Sequence, residues 1–167
     1  MDPLPSMWRT ELWHPLLVHF PIALLLVGTA LRLVGELRRR WSPSSFLVPG
    51  GRLLLVLGTL GAWAAVYTGT WADAAVARSL CDPTVVEAHE TWGYRVGYLF
   101  SAGLLVDGVL WLRRSGAWVR RGLLTVFVLV LLGGSTGLGY VGHLGAKLVY
   151  QQAAAVHQPG ADCADFE

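Results

Sequence analysis

Charge is scarce in this sequence. Only 14% of its 167 residues are Asp, Glu, Lys or Arg, against about a quarter in ordinary soluble domains. Few charges and many apolar groups exclude intrinsic disorder. A nucleic-acid binder is excluded too, since no Lys/Arg-rich stripe stands clear of apolar surroundings. Cysteine is nearly missing: Cys81 and Cys163 are the only two. No Cys-x-x-Cys-His run is present for covalent c-type haem attachment. There is no Walker motif, no His-Glu-x-x-His and no readable nucleophile–base pair, so nothing marks a stand-alone enzyme. The run Gly137-Leu138-Gly139-Tyr140-Val141-Gly142 matches G-x-G-x-x-G but lies inside an apolar stretch. A dinucleotide site needs a strand before that motif, so the match carries no weight.

Apolar residues take the place of charge. They make up 54% of the chain, and the mean hydropathy is +0.50. Four apolar stretches predict helices over about 14–37, 47–72, 85–112 and 121–150, followed by a polar tail over 151–167. Each can cross roughly 30 Å of hydrocarbon. The breaks at Arg40-Trp41-Ser42-Pro43, Cys81-Asp82-Pro83 and Arg114-Ser115-Gly116 end helices. The expected fold is all-α, an up-down bundle of four transmembrane helices forming one domain over 1–167. The first stretch lacks a basic start and a small-residue cleavage site, so it reads as a retained helix rather than a signal peptide.

The few charges are unevenly placed. Nine of the thirteen basic residues flank the first and third connections, with only Glu36 and Asp107 as acids there. The opposite side carries nine acids against Arg9, Arg78, Arg95 and Lys147. The positive side is expected in the cytoplasm of a bacterial inner membrane, with both termini periplasmic. Trp8, Trp13, Trp71 and Trp92 mark one interface and Trp41, Trp111 and Trp118 the other. Both cysteines fall on the periplasmic side, an oxidising compartment, where Cys81 and Cys163 either pair or stay free.

Histidine is the residue type that carries chemistry. His157 lies in the tail, while His14, His19, His89 and His143 all map to the periplasmic ends of helices. At 1.5 Å of rise per residue, His19 and His143 share one depth, and His14 and His89 share another roughly 7 Å nearer the surface. A single interfacial histidine is commonly just wet. Four at one end of a small bundle point to a ligand, because ionisable groups in a membrane bundle are costly and functional. Imidazoles facing each other from different helices are what a b-type haem requires. Either pair meets that need for depth. Gly139 lies one turn before His143 and Gly93 one turn after His89, so both fit a slot for a macrocycle or simple close helix packing. Arg95 is placed to neutralise a haem propionate, to pair with a protein carboxylate or to reach the interface.

The segment His14-Pro15-Leu16-Leu17-Val18-His19-Phe20-Pro21-Ile22-Ala23-Leu24 is distinctive. Together with Ala88-His89-Glu90 and Gly142-His143-Leu144-Gly145-Ala146-Lys147-Leu148-Val149-Tyr150, it resembles the bacterial predicted membrane proteins of domain of unknown function 2231, from about residue 12 to 151. That architecture is similar to small bis-histidine b-type cytochromes, and the resemblance implies a membrane redox role.

The expected function is therefore a b-type haem protein passing electrons near the periplasmic face, within a larger complex or to a periplasmic carrier. His19 and His143 are the expected axial ligands, and His14 and His89 a second pair or polar support. One alternative is a cofactor-free or pigment-ligating accessory subunit of a respiratory or photosynthetic complex. Another is a transition-metal carrier using His14, His19, His89 and Glu90, ranked last because soft-ligand clusters are missing.

Overall fold

The computed structural model describes residues 8–39, 41, 46–112 and 116–156. His157, Cys163, Arg40, Arg113 and Arg114 lie outside them. Four long helices form the molecule: α1 (Trp13–Arg38), α2 (Leu47–Val76), α3 (Pro83–Leu112) and α4 (Ala117–Gln152). Short 3₁₀ turns, Thr10–Leu12 and Ala77–Ser79, precede α1 and follow α2. There is no strand among the described residues. All four helices are long and apolar enough to cross a membrane. Their ends fall within about one turn of the sequence reading.

Exposure is inverted relative to a soluble bundle. Leu26, Val27, Leu60, Leu105 and Leu129 stand exposed on outward faces, a covering suited to lipid. The interior is small, built from Leu25, Leu55, Ala62, Val96, Phe100, Phe127 and Leu131.

Glycine makes the tightest contacts. A Cβ on Gly28 would lie 3.0 Å from the Leu55 amide nitrogen, and one on Gly58 only 2.8 Å from the Leu25 side chain. These two glycines let the backbones of α1 and α2 approach, the usual device where lipid supplies no hydrophobic drive between helices. Gly134 against Phe100 and Gly137 against Val96 do the same between α3 and α4. The bundle is thus two tight hairpins, α1–α2 and α3–α4.

The hairpins repeat one another. Residues 75 apart correspond between α1 and α3: His14 with His89, Gly28 with Gly103, and Arg32 with Asp107. One residue further apart, Leu55 corresponds to Leu131, Gly58 to Gly134, Gly61 to Gly137 and Gly69 to Gly145. Buried positions follow the same register, with Leu25 and Phe100 as one pair and Leu55 and Leu131 as another. Arg32 bonds Asp107, and the ring of His14 meets that of His89. Equivalent residues that touch each other mark an approximate two-fold relation between the hairpins.

Arg32 and Asp107 are each 1% exposed. The Arg32 guanidinium also lies 4.7 Å over the Phe127 ring, so α1, α3 and α4 meet at one side chain. At the start of α3, Asp82 precedes Pro83 and accepts the Thr84 amide at 2.9 Å and the Thr84 hydroxyl at 2.6 Å. This is an N-cap followed by proline in the first helical position. The two Thr84 bonds hold the Asp82 carboxyl below its ordinary value.

Two outcomes follow. Arg32→Leu alone leaves a buried carboxylate without its main partner and is expected to cost about 3–5 kcal/mol. Removing both charges, Arg32→Leu with Asp107→Leu, leaves neither member of the buried pair without its counter-charge and recovers a large part of that loss, as read by thermal melting in detergent. The Asp82 cap is present above the ordinary aspartate value of 3.8 and fades as pH falls through the lower folded value. The protection factor of the Thr84 amide, its exchange rate taken relative to the intrinsic rate at each pH, should therefore fall on acidification in the native chain and be small at neutral pH in Asp82→Ala.

Candidate functional site

Two histidines come together at one end of the bundle. His14 sits in the first turn of α1 and His89 in the second turn of α3. Their ring centroids are 5.9 Å apart and their planes nearly perpendicular, at 89°. Both are half-buried. Each belongs to a different hairpin, so the pair bridges the two repeats.

Each ring is held by the partner helix of its own hairpin in the same way. His14 Nδ1 lies 2.8 Å from the Ala65 carbonyl of α2, and His89 Nδ1 lies 3.1 Å from the Val141 carbonyl of α4. A carbonyl can only accept, so Nδ1 carries the proton in both rings. In a neutral imidazole that leaves Nε2 as a bare lone pair. Four residues beyond each carbonyl stands a glycine that the ring rests on. A Cβ on Gly69 would lie 3.3 Å from His14, and one on Gly145 would lie 3.2 Å from His89. Carbonyl and glycine together set the rotation and depth of each ring. The donated Nδ1–H is the arrangement by which proteins orient metal-binding histidines and raise their basicity.

The other histidines lie elsewhere. His19 and His143 are both exposed on the outer surface of the bundle. Five helical residues turn the chain by about 140° relative to His14, so His14 and His19 cannot face the same way. The structure thus brings together the shallower pair read from the sequence and leaves the deeper pair apart from the interior.

The remaining candidates are dispersed as well. Gly139 is exposed, with open space where a Cβ would stand, and Gly93 meets only the Val66 side chain, at 4.0 Å. Arg95 is exposed and stacks on Trp92, with 4.8 Å from its guanidinium carbon to the ring centroid. Glu87 and Glu90 are exposed. Among the described residues, no group of three or more His, Cys, Asp or Glu side chains could hold a metal ion. A carrier site built from His14, His19, His89 and Glu90 is therefore not assembled here. Cys81 is exposed, and its candidate partner Cys163 lies outside the described residues.

The sequence offers Gly69 and Gly145 among the small residues of α2 and α4 but does not single them out as the seats of His14 and His89, and it gives no sign of the two backbone carbonyls. Comparing the chain with itself would have found the glycines, because both follow their histidines at nearly the same distance.

The family model described as predicted membrane protein, DUF2231, matches residues 12–158. The chain belongs to that family. No curated protein and no solved structure matches it.

In protein labelled with ¹⁵N-histidine, the His14 and His89 rings are both expected as the Nδ1–H tautomer at mildly alkaline pH. Gly145→Ala should shift the ring resonances of His89 and leave those of His14 nearly in place, and Gly69→Ala should do the reverse. Rings found as the Nε2–H tautomer would contradict the assignment.

Proposed function

Taking the chain as a DUF2231 membrane protein, we propose that it is a b-type haem protein in which His14 and His89 would hold the haem iron. It would take part in electron transfer near the periplasmic face of a bacterial inner membrane. One observation carries the reading: two imidazoles from separate hairpins, each with Nδ1 tied to a backbone carbonyl, leave two bare Nε2 atoms at one place. Ring centroids 5.9 Å apart are close enough for both imidazoles to hold one metal ion.

The donor set fits iron in a porphyrin, which accepts two neutral imidazoles. Bound there, the haem supplies one-electron chemistry, and the protein supplies orientation and a low dielectric. His14 and His89 would hold the iron. Ala65 and Val141 accept the Nδ1–H of each ring and fix its orientation. Gly69 and Gly145 keep β-carbons clear of both rings. Apolar helices around the pair limit its contact with water, both rings being half-buried. The excess of arginine at the far end favours a cytoplasmic position for that end, which sets the histidines on the periplasmic side. The donor or acceptor is then a periplasmic carrier or a neighbouring membrane subunit.

A second reading is a cofactor-free accessory subunit. Gly133, Gly139 and Gly142 of α4 open outward with nothing within 4 Å. Small residues on an outward face suit packing against another transmembrane helix. It predicts co-purification with a larger complex that survives replacement of both histidines.

A reduced-minus-oxidised spectrum of the purified protein tests the haem reading. The expected result is a low-spin b-type difference spectrum that His14→Ala or His89→Ala abolishes. His19→Ala and His143→Ala should retain it. Protein purified from haem-sufficient cells with neither haem bands nor iron would sink the reading.

A further inference from the structure

Six charged side chains from all four helices close the end of the bundle opposite the histidines. Glu36 receives Arg32 at 3.1 Å, Arg39 at 3.3 Å and Arg120 at 3.0 Å. Asp107 receives Arg32 and Arg52. Four guanidiniums thus meet two carboxylates, and Arg does not lose its proton in proteins. Two positive charges in the cluster are not offset.

Such a surplus is tolerable in water but costly at the edge of a hydrocarbon layer, where repulsion grows as the dielectric falls. Its location is specific. Arg32 is sealed in the bundle, whereas the side chains of Arg39, Arg52 and Arg120 keep 54%, 26% and 37% of their surface exposed. A guanidinium has five N–H donors, and each of these three spends at most two distinct nitrogens on carboxylate. They reach the cluster from the end of α1, from α2 and from α4.

We propose that this cluster binds the phosphate of an anionic phospholipid. The planar guanidinium fork matches a phosphate, and arginine clusters between transmembrane helices suit such headgroups. Depth agrees: Arg32 lies eighteen residues beyond His14 on one helix, ~27 Å along its axis, close to the ~30 Å of a hydrocarbon core. The cluster therefore lies at the level where lipid phosphates are found. The neighbouring surface favours a lipid over free phosphate. Arg52 lies 5.2 Å over the exposed ring of Trp111, an apolar wall for glycerol and acyl chain.

The test uses full-length protein, delipidated and placed in phosphatidylcholine nanodiscs, with phosphatidylglycerol titrated in and bound lipid counted by native mass spectrometry. Arg39→Gln with Arg120→Gln is expected to weaken phosphatidylglycerol binding about tenfold or more. Arg38→Gln with Arg121→Gln removes two exposed arginines from the same end but outside the cluster, and should change binding less than about twofold. A melt in phosphatidylcholine alone checks that each variant is folded. If the first double variant is not, Arg39→Gln by itself, at a largely exposed position, should weaken binding in the same direction. Equal loss in both double variants overturns the proposal, because binding would then track total charge. Equal binding of phosphatidylglycerol and phosphatidylcholine overturns it as well. Displacement of the lipid by millimolar inorganic phosphate overturns the choice of a lipid.

Discussion

An arginine inside a bundle of apolar helices must find its counter-charge within the protein, because neither water nor acyl chains supply one. Arg32 meets that constraint by bonding Asp107 of α3 and Glu36 of its own helix while lying over Phe127 of α4. Arg52 of α2 bonds the same aspartate. Glycine draws helices together within each hairpin, but this ion cluster is what registers one hairpin against the other. Removing one partner is far costlier than never having had the pair, since the survivor stays charged and buried. The pair thus specifies the arrangement of the hairpins more than it adds to net stability.

Position along the repeat then determines what stands at the other end. With Arg32 and Asp107 in contact, the equivalent residues eighteen positions earlier, His14 and His89, are brought to the same place near the opposite surface. Two polar contacts between counterparts bracket an apolar interior that includes Leu25 and Phe100. One contact is ionic, each of its carboxylates receiving more than one guanidinium. The other consists of two imidazoles, each satisfied at Nδ1 by its own hairpin and bare at Nε2. That difference is why the functional reading rests on the histidines and the assembly argument on the arginine and aspartate.

Much of this was legible in the sequence. Four apolar runs separated by Arg-, Pro- and Gly-bearing breaks define the helices, and the clustering of histidines at one end follows from helix direction alone. The choice of pair was not legible from depth. Rise per residue gives height, but a hundred degrees of turn per residue decides which side chains face inward. His19 and His143 match in height and face outward. Arg32 and Asp107 were read as loop-flanking charges, although each is sunk in an apolar run, Ala30-Leu31-Arg32-Leu33-Val34 and Leu105-Val106-Asp107-Gly108-Val109. A charge embedded that way on two helices at one depth is itself a signal of pairing. The repeat was hidden because apolar residues substitute freely for one another, leaving a few glycines and one histidine to show the register.

The Arg32–Asp107 contact has a consequence for how such a chain can be built. Two identical hairpins brought face to face would place the same residue on both sides of the axis, arginine against arginine or aspartate against aspartate. Either would put like charges in contact in a medium that cannot screen them. Opposite charges at counterpart positions are open only to two hairpins that differ, and covalent linkage is one way to guarantee that unlike halves always meet. Histidine carries no such restriction, since two neutral imidazoles can face each other across the axis. The histidine end could thus serve a symmetric pair as well as a joined one, while the charged end belongs to a chain whose halves have diverged.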